Sequence, residues 1–303
     1  MDSSIQKALK KAKRKHWVII TLISVVVCLI LLFAFNRLGN YLSAQNTTRL
    51  HDSLFLQHAI SQPNVNIDSQ VTANSSMFGG NIITNRSKNI NGYLVPWSTL
   101  TSSYSWFGAS IDYNELVAGF HSSGNNNFEY DKQTKQKVAT FYHPAIKEYY
   151  DGVQNQLEAV VQLENQVAEV AISFKEPLTM EQVRENIPEN LNIAWLYMTS
   201  AIANEALGPA GGPVYGYADS ELSKESFDRF IENLKKYDTR KSIEEIQKYI
   251  RENENKMLND VTVLGVMLTG RTENFNELIG KDFIRGASVG VTVPIVPYIQ
   301  PIK

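Results

Sequence analysis

The longest uninterrupted apolar stretch of the chain lies close to its N-terminus, from Trp17 to Phe35. It has 19 residues, and only Thr21 and Ser24 interrupt it with polar side chains. As a helix it is ~28 Å long, which matches the hydrocarbon thickness of a bilayer, and both hydroxyls can bond to the preceding turn. The pattern predicts a transmembrane helix over 17–35, with aromatic residues at its two ends.

A cleaved signal peptide is the alternative interpretation of this stretch. The apolar region of a signal peptide has roughly 7–15 residues and is followed by a cleavage site with small residues at two positions. Here the apolar run is longer, and residues 42–44 form a poor cleavage site that comes late. The sequence therefore favours an anchor that stays in the protein.

Basic residues are concentrated before this helix. Residues 1–16 contain six of them against the single acidic Asp2, whereas only Arg37 follows the helix closely. Because an excess of Lys and Arg stays in the cytoplasm, we expect a single-pass protein with residues 1–16 inside the cell membrane and the body outside. The following residues are expected to set this topology, contact anionic lipid or dock a cytoplasmic partner: Lys7, Lys10, Lys11, Lys13, Arg14 and Lys15.

Apolar residues at helical spacing continue beyond the transmembrane segment, at Leu50, Leu54 and Ala59. They predict a juxtamembrane helix within 36–62 that can continue the transmembrane one. Thr47 or Thr48 is the expected N-cap, and the helix is expected to end before Pro63.

Short runs of alternating polar and apolar residues follow from 63 to 143, which is the pattern of strands. Residues 64–71 and 93–100 show it most clearly, and 121–127 (HSSGNNN) has the composition of a surface loop. The sequence predicts a mostly β extracytoplasmic module. Its aromatic residues are expected in the core of a small sheet, with a binding surface as the alternative: Tyr93, Trp97, Tyr104, Trp106 and Phe107.

A connecting helix is predicted over 144–166, where Pro144 suits the first helical position. The remainder, 167–303, alternates strand-like and helical segments, which predicts an α+β sandwich with helices on one face of a mixed sheet. Thr179 and Gln182 have the spacing of a capping box, and Ser223 or a neighbour is expected to cap a further helix. The predicted strands of this module are 167–174, 191–198, 261–268 and 284–295, with a short helix at 272–278.

Composition and motifs exclude several classes of function. The net charge is −2 and the part beyond the basic tail is acidic, which does not suit a nucleic-acid partner. The lone cysteine, Cys28, lies inside the apolar run, so no disulfide is possible within the chain. His51 and His58 can share a helix face, but no third metal ligand is near. We predict no catalytic, cofactor-binding or metal-binding residue and no enzyme.

One motif needs a separate test, because residues 286–290 (GASVG) fit the G-x-S-x-G pattern of a nucleophile elbow. That elbow needs a helix after the serine and a histidine further along the chain. Strand-like residues follow Ser288 instead, and the last histidine is His143. We therefore interpret these small residues as part of a packed strand.

Four longer stretches have patterns of their own: KALKKAKRK, LHDSLFLQHAISQPNV, SQVTANSSMFGGNIITNRSKNINGYLVPWSTL and KDFIRGASVGVTVPIVPYIQP. They resemble the sigma factor regulator family, the membrane-anchored anti-sigma factors found in Gram-positive spore-formers. The resemblance places an N-terminal regulator module at roughly residues 5–95 and a C-terminal one at roughly 155–300.

The resemblance implies a transmembrane regulator that senses envelope stress or a partner outside and holds a sigma factor inactive inside. Only about 16 residues are expected in the cytoplasm, which is enough for one helix in a groove but fewer than the roughly 20–30 residues per side of a stable interface. The implied partner is a sigma factor or a second membrane regulator of the same complex. An extracytoplasmic ligand-binding or structural surface module with no role in transcription is the alternative.

Overall fold

The computed structural model describes residues 3–111, 117–123, 126–208 and 213–303. A single long helix, α1 (Ser3–Ser61), leads into a mostly β region and then into a region where helices pack on a sheet. The α+β class and the order of these parts agree with the sequence prediction.

Helix α1 runs without a break from the basic tail through the apolar segment to Ser61, a length of about 88 Å. Every residue from 17 to 35 is exposed, so the apolar segment is not the core helix of a soluble domain. The helix is long and apolar enough to cross a membrane. An exposed apolar helix of this length suggests a single-pass membrane anchor.

The predicted N-cap at Thr47 or Thr48 is wrong, because α1 does not begin there. Each hydroxyl donates a hydrogen bond to a carbonyl one turn earlier, at 2.8 Å to Ser43 and 3.3 Å to Ala44. The polar groups are therefore satisfied inside a continuous helix. The expected end before Pro63 is confirmed.

Four antiparallel strands follow and form a meander in the order β1-β2-β3-β4. Its core against α1 contains Leu50 and Leu54 of the helix together with Ile82, Leu100 and Tyr104 of the sheet. Aromatic residues divide between core and surface, because Tyr93 and Tyr104 are buried whereas Phe107 is exposed. The strands are β1 (Asn66–Ser76), β2 (Gly79–Ile90), β3 (Tyr93–Ser105) and β4 (Gly108–Ile111).

A small hairpin comes next, formed by β5 (Gly119–Ser123) and β6 (Asn126–Tyr130). It occupies most of the stretch predicted as a surface loop at 121–127, and residues 124 and 125 lie outside the described residues. The loop prediction is therefore wrong for the described part, where Ser122 pairs with Asn127 across the hairpin.

The connecting helix predicted over 144–166 is reduced to α2 (Leu157–Val161), five residues long. Upstream lies the short strand β7 (Glu148–Tyr149). The guanidinium group of Arg285 explains the loss of the first predicted turn, because it donates hydrogen bonds to four carbonyls at 143–147 that a helix would need. They belong to His143 (2.7 Å), Pro144 (3.1 Å), Ile146 and Lys147 (3.0 Å).

The C-terminal region is built on a five-stranded sheet with the order β11-β9-β12-β8-β13. The short β10 (Leu207–Gly208) pairs with β7 instead. Part of the Gly- and Pro-rich stretch at 208–217 lies outside the described residues, namely 209–212. The sheet strands are β8 (Gln166–Thr179), β9 (Asn192–Ser200), β11 (Val214–Tyr217), β12 (Thr262–Arg271) and β13 (Ile284–Pro294).

Every pairing within this sheet is antiparallel, so the predicted mixed sheet is wrong. The βαβ pattern does give β8 and β9 the same direction, but β12 lies between them and runs the opposite way. The helices are α3 (Met180–Asn186), α4 (Lys224–Lys241) and α5 (Glu244–Asn253), with 3₁₀ turns at Leu258–Asp260 and Thr272–Leu278.

The two helix caps predicted for this region are present in the structure. Thr179 and Gln182 form a complete capping box, with the two bonds at 3.2 and 2.8 Å. The Ser223 side chain accepts a hydrogen bond from the amide of Ser226 and caps α4. Both predictions are confirmed, because each depends only on residues within one turn of the other.

The main core lies between the sheet and its helices. Val170, Ile172 and Phe174 alternate along β8 toward this side, where they share a core with Phe230 and Ile246. The opposite face of β8 carries Glu169, Ala171 and Ser173, and is covered by β2 and by the chain around residue 140. Glu169 is therefore a buried acidic residue on the covered second face of the sheet.

Candidate functional site

The point where α1 ends brings together residues from every part of the body. We call this region the junction: the last turns of α1 (54–61), the turn at 62–65, and the side chains of β2, β8, β9 and β11 that pack around them. At the turn, Asn64 adopts a left-handed φ of 53°, a conformation that Asn tolerates better than most residues. The chain reverses there, and β1 begins at once.

Asn64 links the turn to both sheets. Its side-chain amide donates to the carbonyl of Asn89 at 3.1 Å and to Oε2 of Glu169 at 2.7 Å. Asn89 lies in β2, next to Lys88, and Glu169 lies in β8. Any shift of the turn therefore has to break a bond to one of the two sheets.

A buried ion pair lies beside this turn. Lys88 Nζ and Glu169 Oε1 are 2.7 Å apart, and the two side chains are 3% and 0% exposed. The ammonium group also lies 4.4 Å from the ring centroid of Trp97, a cation–π contact. Gly290 leaves room for the carboxylate, since a Cβ there would lie 2.6 Å from Glu169 Oε1. Loss of either partner would leave the other as an unpaired buried charge, which is strongly destabilising.

A second buried basic residue, Arg86, contacts the end of α1. Its Nε donates to the carbonyl of Ser98 at 2.6 Å, and Nη1 lies 3.5 Å from Nε2 of His58. The other ring nitrogen of His58 lies 2.9 Å from the carbonyl of Leu54, so Nδ1 is the donor and Nε2 the acceptor. Burial, reinforced by the charge of Arg86, lowers the pKa of His58 from 6.5 to about 4. His58 is therefore neutral at physiological pH.

On one side of the turn lies a charged cavity of about 200 Å³. Arg86, Lys88 and Trp97 line it together with two carboxylates, Glu129 and Asp131. Burial raises the pKa of Glu129, whereas Asp131 accepts a hydrogen bond from the Ser98 hydroxyl. A cavity with charges of both signs suits a small zwitterionic or strongly polar ligand.

On the other side lies an aromatic cavity of about 340 Å³, between α1, β9, β11 and α4. The side chains of Trp195 and Tyr217 line it, but the Trp195 Nε1 and Tyr217 hydroxyl atoms are themselves fully buried and have no hydrogen-bond partner among the described residues. Burial, with the charge of Asp219, raises the pKa of Tyr217, so its hydroxyl stays protonated and can donate. The cavity falls in the size range of small-molecule sites. Its other main lining residues are Phe55, His58, Arg229 and Phe230.

The structure places the metal-ligating and nucleophilic candidates of the sequence apart from one another. Among the residues that the structure describes, no three His, Cys, Asp or Glu side chains are grouped so that they could hold a metal ion. His51 contacts Gln70 at 2.5 Å, while His58 bonds within its own helix, so the two act separately. Ser288 of the G-x-S-x-G match lies inside β13 and accepts a hydrogen bond from the amide of Thr140 at 3.0 Å.

The residues predicted from sequence as functional lie far from the junction. The six basic residues of the tail are exposed on the first turns of α1, and Lys15 is about 70 Å along the helix from Ser61. Trp17 is exposed at one end of the apolar segment, and Phe35 at the other end contacts the ring of Trp106. The junction residues were missed, although Glu169 is a charged residue within the apolar run VAEVAISF.

Fold and junction together define a protein with one helix able to cross a membrane and an α+β body built around the end of that helix. Two family models match the chain: sigma factor regulator N-terminal over residues 6–95 and sigma factor regulator C-terminal over residues 160–291. The matches cover about three quarters of the sequence, and the chain belongs to the sigma factor regulator family. Comparisons with curated proteins and with solved structures found no match.

The two family matches meet at the junction. Lys88 lies in the N-terminal match and Glu169 in the C-terminal one, so the buried ion pair joins the two regulator regions. The family has a role in sigma factor regulation and is regulatory rather than catalytic, which implies an interaction with a sigma factor.

Proposed function

We propose that the protein is a single-pass membrane regulator that acts as an anti-sigma factor or as a component of an anti-sigma complex. Residues 1–16 lie in the cytoplasm, and the body beyond Phe35 lies outside and senses a signal. The observation that carries this proposal is the continuity of α1. One helix begins in the basic tail and ends with Leu54 and Ile60 fully buried in the body. Tail and body are thus connected by a single element.

The packing of α1 supports an anchor that is retained. Cleavage at residues 42–44 would cut the helix where Ser43 and Asn46 are buried. Ser43 donates to the carbonyl of Ser76 at 3.1 Å, and Asn46 to that of Ser105 at 2.6 Å. In a protein without residues 1–42, Ser43 and Asn46 would lie in the first turn of a shortened helix, and the preceding turns would no longer hold them in place for these two hydrogen bonds.

The tail offers a docking element rather than a domain. Lys7, Lys11 and Arg14 recur at helical spacing, and Ile5 and Leu9 are exposed four residues apart. The basic set and the apolar pair lie on opposite sides of the helix, so the basic side can lie in an acidic groove of a partner while the apolar side meets a second surface. The partner that fits is a sigma factor or a second membrane regulator, and the same charges hold the tail on the cytoplasmic side of the lipid bilayer.

The aromatic cavity is the site we propose for the signal. A ligand with a flat apolar surface would pack against the side chains of Trp195, Tyr217 and Phe230. It would also contact Phe55 and His58 on the last turns of α1. Binding would therefore act directly on the helix that carries the tail.

The test is purification of the full-length chain from membranes in mild detergent, followed by identification of the proteins that accompany it. The wild type is compared with a variant in which the six basic residues of the tail are changed to Gln. The matched control changes exposed lysines of α4 to Gln instead: Lys224, Lys235 and Lys236.

We expect wild type and control to recover a sigma factor or a second membrane regulator, and the tail variant to lose it. Recovery of neither from wild-type membranes would overturn the regulatory proposal. It would favour the alternative, an extracytoplasmic ligand-binding module with no role in transcription, for which the two cavities are the supporting observation.

A further inference from the structure

Two hairpin turns of the meander expose aromatic rings at the same end of the sheet. We call them the aromatic tips: Met77–Phe78, between β1 and β2, and Trp106–Phe107, between β3 and β4. Phe107 is 98% exposed and Phe78 is 58% exposed. The Trp106 ring stacks on Phe78 at 5.4 Å between centroids, whereas Phe107 is left almost fully in solvent. Large apolar groups gathered in this way are typical of an interaction surface.

The tips lie beside the end of the apolar segment of α1. The ring of Phe35 is 4.9 Å from that of Trp106 and 6.3 Å from that of Phe78. Trp106 also faces Gly39, one turn or about 6 Å further along the helix. The polar headgroup zone of a bilayer is about 5–7 Å thick on each side. With Phe35 at the hydrocarbon edge, Trp106 lies within that zone.

The tips are held firmly against the helix. A Cβ on Gly39 would lie 2.5 Å from Trp106 Cζ2 and 3.0 Å from the carbonyl oxygen of Met77, so only glycine permits this approach. The indole Nε1 of Trp106 donates to the same carbonyl, and Asn36 Nδ2 lies 3.3 Å from the sulfur of Met77. The depth of the tips is therefore fixed by the depth of α1.

The sequence around the tips carries no charge. Residues 69–85 and 89–111 contain no Asp, Glu, Lys or Arg, although charged residues make up 20% of the whole chain. Ser, Thr, Asn and Gly dominate beside the aromatic rings. A charged group at this depth would resist approach to the low-dielectric hydrocarbon, and none is present in these two segments.

We propose that the aromatic tips insert into the headgroup region of the bilayer leaflet that faces the body. This inference rests on the proposed membrane anchoring by α1. The surface it identifies is continuous with the apolar surface of that helix, which selects lipid as the occupant. The tips form a second membrane contact that sets the tilt of the body and keeps the junction at a fixed height above the bilayer.

Site-specific fluorescence in vesicles of phosphatidylcholine and phosphatidylglycerol tests this proposal with the full-length chain. Phe107→Cys in a Cys28→Ser background carries an environment-sensitive NBD label at the tip. Nitroxide-labelled lipids then report its depth, with quenchers at the headgroup and at shallow and deep acyl positions. Leu94→Cys is the matched control, since Leu94 is 71% exposed on the same β3 but about 40 Å from the tips.

We expect headgroup and shallow quenchers to reduce emission from position 107 at least twofold and to leave position 94 unchanged. The native Cys28, labelled in the otherwise unchanged chain, reports the anchor itself through the deep quencher. Quenching at 28 without quenching at 107 refutes the tips as a lipid contact while the anchor stands. A blue-shifted but unquenched label at 107 assigns the tips to a contact with a second copy of the chain, and also refutes the proposal. Absence of quenching at 28 instead refutes the anchoring proposed above.

Discussion

Removal of the Glu169 carboxylate is the sharpest perturbation of the junction. In Glu169→Ala the ammonium group of Lys88 would remain 3% exposed without its partner at 2.7 Å. Breaking a buried pair in this way costs about 3–5 kcal/mol, because an uncompensated charge is left behind. Asn64 would keep only its bond to Asn89. For a body of this size, each kcal/mol lowers the melting temperature by about 2–4 °C, so we expect a decrease of roughly 6–20 °C.

Removing both charges should behave differently. In the double variant Lys88→Met with Glu169→Leu, apolar side chains of similar length replace the pair. Such replacements are often neutral, or stabilising by about 1–4 kcal/mol. We therefore expect the double variant to melt close to the wild type or above it.

The measurement is thermal unfolding of the full-length chain in detergent micelles, followed by tryptophan fluorescence. Trp97 lies against Lys88 and reports on the junction directly. Asp228→Ala is the control, because its ion pair with Lys224 is exposed and is worth less than about 1 kcal/mol. Equal losses in the single and double variants would refute the reasoning, since they would assign the effect to packing rather than to an unpaired charge.

Three further predictions concern residues around the helix. Burial holds the pKa of His58 at about 4 in the folded protein, against 6.5 in the unfolded chain. As the pH falls, the unfolded state therefore binds a proton before the folded state does, and the free energy of unfolding should decrease by about 3 kcal/mol from pH 6.5 to 4. His58→Asn should remove this pH-dependent decrease, which urea titrations at each pH measure. Gly39→Val should destabilise by about 1–3 kcal/mol through its clash with Trp106, whereas Ala44→Val on the exposed face should change the melting temperature little. Trp195→Phe deletes an unpartnered N–H together with part of a buried ring, so we expect a packing loss of about 1–3 kcal/mol in the free energy of unfolding. A loss above about 5 kcal/mol, more than packing alone costs, would show that the indole N–H has a partner.

The elements predicted best from sequence are those fixed by neighbouring residues. The apolar run 17–35 and the capping box at Thr179 need only a few turns of chain to be recognised. Strand positions in the C-terminal region follow in the same way from apolar runs such as 167–174 and 261–268. Periodicity and capping are local properties, so they survive without knowledge of the fold.

The elements predicted wrongly are those decided by distant residues. The first turn of the predicted helix, at 144–147, is lost because Arg285, more than 130 positions away, takes its carbonyls as acceptors. The sheet is antiparallel because β12 enters between β8 and β9, a choice that no pattern within those strands records. Tertiary contacts override local preference in both cases.

The junction shows what sequence can and cannot supply about a site. Glu169 interrupts an apolar strand and Lys88 follows Arg86 at strand spacing, so each is recognisable as unusual. Their pairing is not, because 81 positions separate them and the regions that contain them match different family models. The unpartnered donors of the aromatic cavity depend on packing alone and leave no signal in the sequence.

Accessibility of single cysteines on intact cells tests the proposed arrangement of α1 most directly. In a Cys28→Ser background, Leu94→Cys reports the body and Ser4→Cys reports the tail, and both positions are exposed. A membrane-impermeant maleimide should label position 94 on intact cells and position 4 only after the membrane is permeabilised. Labelling of position 4 on intact cells, or protection of position 94, would contradict a helix that carries a cytoplasmic tail to an external junction.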